Sequence, residues 1–130
     1  MAFKGIEKRT CIRFDIPGAT VSFRNERRLF SSASYEEYCP LLDISRGGLR
    51  FLSQKSLKIN SKLTLKISIP DDKNPFDIRG RVGWSRTNPG MSYKYQVGFQ
   101  FFPYGDKKKH NPPNALVNII ALEEKFGKDQ

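Results

Sequence analysis

A chain of 130 residues, 38% hydrophobic and with ten Phe, carries enough apolar material for one domain with one core and needs no disulfide or metal to hold it. Its net charge of +10 favours an anionic partner: nucleic acid, nucleotide, anionic lipid or an acidic protein surface. Two cysteines without a C-x-x-C, an N-terminus without an apolar h-region and no stretch near the ~20 apolar residues of a membrane span argue against a disulfide scaffold and against membrane insertion, and lead to the expectation of a cytoplasmic protein with free thiols.

Along the chain, Ala19, Val21 and Phe23 begin a weak alternation that runs towards Phe30. Ser31 to Tyr38 is polar and serine-rich and reads as a loop. Two short apolar runs, Leu41 to Ile44 and Leu49 to Leu52, flank Ser45-Arg46-Gly47-Gly48. Period-two alternation is then strong. Leu63, Leu65, Ile67 and Ile69 form one set. Phe76, Ile78, Val82 and Trp84 share one parity, which places Trp84 with the core. Tyr95, Val97, Phe99 and Phe101 form a third set. Turn chemistry separates these runs at Pro70 to Pro75 and at Asn88-Pro89-Gly90. Six strands joined by short connections predict an antiparallel barrel or sandwich. The period changes in the tail, where Ala115, Ile119, Leu122 and Phe126 recur at helical spacing. Asn111 is placed to cap this helix, Pro112 suits its first position and Gly127 can end it.

Two motifs carry most of the chemistry. Arg9 and Arg13 form an R-x-x-x-R, and Asp43, Ser45 and Gly48 form a D-x-S-x-x-G. Arginine's planar fork fits phosphate oxygens or the O6/N7 edge of guanine, and can stack on a purine. The Asp43 carboxylate can accept from guanine N1–H and N2–H₂, and the Ser45 hydroxyl can bond phosphate or base. Gly47 and Gly48 allow positive φ and a close backbone approach. Each motif alone has a plainer meaning. With 23 Lys and Arg, an R-x-x-x-R arises by chance, and Asp, Ser and Gly are common in tight turns.

Catalysis finds little support. His110 is the only histidine, which disfavours a Ser-His-Asp arrangement or a multi-histidine zinc site, and no phosphate-binding P-loop is present. No catalytic residue, metal ligand or cofactor is assigned, and the chain is expected not to be an enzyme.

Taken together, the R-x-x-x-R, the segment CPLLDISRGGLRF and the later stretches DIRGRVGWSR and KYQVGFQFF resemble the PilZ domain family. The resemblance covers most of the chain. It implies an all-β fold, a six-stranded antiparallel β-barrel of split-barrel type with a C-terminal α-helix. It also implies a receptor for cyclic di-GMP. On this basis residues 1–13 form a flexible ligand-binding arm, and residues 14–130 form the barrel with a terminal helix at 112–126. The ligand residues implied are Arg9, Arg13, Asp43, Ser45 and Gly48, with Lys8 and Gly47 as further members. In the family, an arginine just before the first motif arginine favours a stacked ligand pair. Lys8 keeps the charge without the stacking plane, so one or two molecules per site stay open. The implied partners are cyclic di-GMP and a downstream protein. The alternatives are a ligand-independent interaction module and, less favoured, a basic nucleic-acid-binding barrel.

Overall fold

The computed structural model describes residues 12–25 and 35–127. Among these residues six strands, β1 (Thr20–Asn25), β2 (Tyr35–Ile44), β3 (Gly48–Ser53), β4 (Lys62–Ser68), β5 (Phe76–Thr87) and β6 (Tyr95–Phe101), precede a C-terminal helix, α1 (Pro113–Phe126). The strands close into a barrel in the order β1-β2-β3-β6-β5-β4, and every neighbouring pair is antiparallel.

The alternating apolar residues fill the interior. Val21 and Phe23, Leu41 and Ile44, Leu49 and Phe51, Leu63, Leu65 and Ile67, Ile78 and Val82, and Val97, Phe99 and Phe101 are all buried. Phe23 and Phe51 meet across the barrel with ring centroids 5.8 Å apart. Phe14 and Ile16 precede the first strand and are also buried, while Ala115 and Ile119 bring one stripe of the helix onto the same core. Burying this much apolar surface is the main force that holds the barrel closed.

Three predicted features turn out differently. Tyr35 to Tyr38 belongs to β2 rather than to a loop; its side chains are largely exposed, so the sequence shows no alternation there. Trp84 is not in the core. The pairing of β5 with β6 shifts register between Val82 and Trp84, so Gly83 is an extra residue and the parity reverses beyond it. Trp84 therefore pairs with the outward-facing Gly98 instead of continuing the inward row. The third concerns the start of the helix. Its N-cap is Pro112, without a side-chain bond, and Pro113 takes the first turn. Asn111 instead turns into the protein. Its Oδ1 accepts from the Arg79 backbone N–H, and its Nδ2 donates to the carbonyls of Arg79 and Phe102. Gly127 closes the helix as its C-cap.

Among the described residues, no helix is long and apolar enough to cross a membrane. Cys39 is a free, buried thiol, and Cys11 lies outside the described residues.

Candidate functional site

The D-x-S-x-x-G segment is the turn that joins β2 to β3. Its Ser45 N–H donates to the Gly48 carbonyl at 2.8 Å. The Ser45 hydroxyl is buried, donates to the same carbonyl at 3.3 Å and accepts from the Gly47 N–H. Serine is here the residue that knits the turn. Neither Gly47 nor Gly48 uses the positive φ that glycine permits. Gly48 is required for a different reason: a Cβ there would run into the Phe99 backbone carbonyl of β6. Gly47 has open space around it.

Asp43 reaches the outer face because β2 shifts register against β3 between Leu41 and Asp43, which sets Asp43 opposite Arg50. Arg13 is brought to the same place from the other side. Phe14 forms a two-bond bridge with Ile44, and its buried ring anchors the residue that follows Arg13. The Arg13 Nη1 then donates to Asp43 Oδ1 at 2.8 Å. The structure thus assembles Arg13, Asp43, Ser45, Gly47 and Gly48 at one rim. Lys8 and Arg9, with the rest of the proposed arm up to Cys11, lie outside the described residues.

Arg50 is a member that the motif did not flag. Its Nε donates to both Asp43 oxygens, at 3.1 and 3.0 Å, and its Nη2 to Oδ2. This bonding holds the Arg50 guanidinium more firmly protonated than usual. The signal was its position between buried Leu49 and Phe51, which fixes it outward beside the turn.

Trp84 is the second member not foreseen. Its indole lies on Gly98, where any side chain would strike the ring, and the Arg86 guanidinium sits 4.5 Å from the ring centroid. Gly83 was the available clue, since an isolated glycine within a strand often marks a bulge. The rim opens onto a groove of about 430 Å³ lined by Arg13, Ser45, Gly48, Arg50, Trp84 and Gly98. Two other clefts, of about 460 and 690 Å³, contain none of the motif residues.

The turn is also fastened to the end of the molecule. Arg46 bonds both carboxylate oxygens of Glu123 on α1, and the Tyr104 hydroxyl donates to the Arg46 carbonyl at 2.6 Å. Burial pushes the Tyr104 phenol up to about 12, and burial beside Glu36 raises the Cys39 thiol from 9.0 to about 12. Both groups hold their protons more tightly in the folded chain. The stability they contribute is complete below their ordinary values and is lost as pH rises through about 12. Tyr104→Phe should therefore be less stable by about 1 kcal/mol at neutral pH, yet lose less between pH 10 and 12 than the wild type. Denaturant unfolding at a series of alkaline pH values checks this; parallel curves for the two proteins would contradict it.

Among the described residues no cluster of His, Cys, Asp and Glu could hold a metal ion. What the rim offers is two guanidiniums, one carboxylate, an aromatic face and a floor without side chains, a set suited to a planar base with an attached phosphate.

The PilZ domain family model matches residues 7–117. No curated protein matches the chain in sequence. Among solved structures, that of the Bacillus subtilis inhibitor of motility (MotI/DgrA) is similar, with a TM-score of 0.61 and 15% sequence identity. The superposition covers 90% of this chain and 50% of that one, so this chain spans about half of its neighbour's length. At this identity the likeness speaks to the fold.

Proposed function

Because this chain belongs to the PilZ domain family, we propose that it is a cytoplasmic receptor for cyclic di-GMP, one that changes conformation on binding and signals to a downstream protein. The observation that carries this reading is the meeting of Arg13, Asp43 and the glycine-floored groove beside Trp84, because each part answers to a part of the ligand. Arg9 and Arg13 take the phosphates and the Hoogsteen edge of guanine. Asp43 accepts from guanine N1–H and N2–H₂. The Trp84 indole gives the base a face to stack on once the Arg86 guanidinium that lies over it moves aside. Ser45 and Gly48 hold the turn in shape and keep the floor low.

Charge-assisted hydrogen bonds contribute roughly 1.5–3 kcal/mol each. A few of them with one stacking contact reach about −8 kcal/mol, or micromolar affinity, after the cost of ordering the arginine side chains. Lys8 adds charge, and one or two ligand molecules per site are both compatible with its lack of a stacking plane. The chain acts without catalysis of its own, through the new charged surface that ligand and arginines create together.

Calorimetric titration with cyclic di-GMP, with GTP as control, tests the reading and gives the stoichiometry. Arg9→Ala and Arg13→Ala should each weaken binding by about 100-fold or more, the worth of two charge-assisted bonds. Arg13 is exposed, so losing its ion pair should cost less than about 1 kcal/mol of stability. Wild-type affinity in both variants would mean that the site is misassigned.

A further inference from the structure

We propose that Arg50 is an internal competitor for the Asp43 carboxylate, so that a guanine base enters by displacing a guanidinium. This rests on the reading of the rim as a cyclic di-GMP site.

A carboxylate offers about four lone-pair directions. At Asp43 three N–H donors already engage both oxygens: Arg13 Nη1 takes Oδ1, Arg50 Nε spans both oxygens and Arg50 Nη2 takes Oδ2. Arg50 thus presents two parallel N–H donors to one carboxylate. Guanine presents the same pattern through N1–H and N2–H₂, and two forks cannot share one acceptor. Asp43 is also well shielded, with 13% of its side chain exposed, so no open side is left for a second fork.

Of the two arginines, Arg50 has somewhere to go. Its Nη1 already lies 3.4 Å from Gln96 Oε1 on β6. Gly98, its partner in the β3–β6 register, is covered by the Trp84 indole, so the guanidinium moves towards Gln96 and not across Gly98. Swinging towards Gln96 frees the carboxylate and keeps the guanidinium on the same face of the barrel. Arg13 stays at the rim, where the phosphates would meet it.

The exchange has two effects. Guanine must outcompete an ionic fork, which raises the ligand concentration at which the site fills. The exchange also sharpens base selectivity, because adenine has no pair of adjacent donors on that edge and cannot replace what it would displace.

The test is calorimetry with cyclic di-GMP on the wild type, Arg50→Met and Arg50→Lys, at low and high ionic strength, with cyclic di-AMP in parallel. Salt screens the long-range attraction lost with the Arg50 charge and leaves the vacated carboxylate unaffected. At high salt Arg50→Met should bind about tenfold tighter, the worth of roughly one charge-assisted hydrogen bond. Arg50→Lys, with a charge but no fork, should fall between, and cyclic di-AMP binding should not gain. Equal or weaker cyclic di-GMP binding by both variants at high salt would overturn the proposal and make Arg50 a support for Asp43 or a ligand contact. Thermal melts of the free proteins confirm that each variant is folded. If wild type and variants all melt normally and none binds cyclic di-GMP, the receptor reading itself fails and the competition falls with it.

Discussion

Asn111→Ala should destabilise the protein by roughly 3 kcal/mol, because it strands the Arg79 N–H and the Phe102 carbonyl in a buried place, while the Arg79 carbonyl keeps the Phe102 N–H. Asn111 is 1% exposed, and its side chain is the partner of the Arg79 N–H, the Arg79 carbonyl and the Phe102 carbonyl. An unpaired buried polar group costs about 1–3 kcal/mol, and alanine offers neither donor nor acceptor. The same residue also ties the connection into α1, where its N–H reaches Pro103 and its carbonyl receives Gly105. A fall in Tm on the order of 10 °C is the expected readout. Asn111→Asp should be no better, since it keeps an acceptor for Arg79 but faces two carbonyls with a charge and no donor. A melt within a degree or two of wild type for Asn111→Ala would show that water or a shifted backbone replaces all three bonds.

Gly48→Ala should cost roughly 2 kcal/mol and weaken cyclic di-GMP binding with it, whereas Gly47→Ala should stay within about 0.5 kcal/mol of wild type. The two glycines are neighbours in one motif and differ in what surrounds them. A methyl at Gly48 meets the Phe99 carbonyl, a backbone atom locked in the β3–β6 ladder, and only a movement of the strand relieves the contact. A methyl at Gly47 meets nothing within 4 Å. Since Gly48 opens β3, its displacement carries the Ser45 turn along. Denaturant unfolding and titration on the same samples separate the causes. A Gly48→Ala protein of full stability that no longer binds would make Gly48 a direct ligand contact.

The fold was most legible where a strand runs unbroken. Leu63, Leu65 and Ile67 in β4, and Val97, Phe99 and Phe101 in β6, alternate without interruption and are all buried. Legibility failed where register shifts. Trp84 kept the parity of Val82 on paper, but the extra residue at Gly83 moved it to the outside. The first residues of β2 were lost to a loop because both their faces are mostly wet, so hydrogen bonding to β1 decides their conformation. Asn111 was read by local capping chemistry, and long-range demand from the β5 backbone prevailed over it.

The candidate site was legible in its members and less so in their work. Asp43, Ser45 and Gly48 stand together as the motif implies, yet Ser45 and Gly48 are occupied in shaping the turn and packing against β6. Arg50 escaped notice because the motif ends two residues before it, and only the register of β2 on β3 brings it to Asp43.

The ring of strands has a further bearing on how such a barrel could be recognised. Each of the described strands has a neighbour on both sides, so among the described residues the sheet presents no long open edge for another chain to extend. A protein docking here would read protruding side chains and bound nucleotide rather than main-chain amides. Its preference would then rest on shape and charge, which the proposed ligand, seated among arginines, would rewrite.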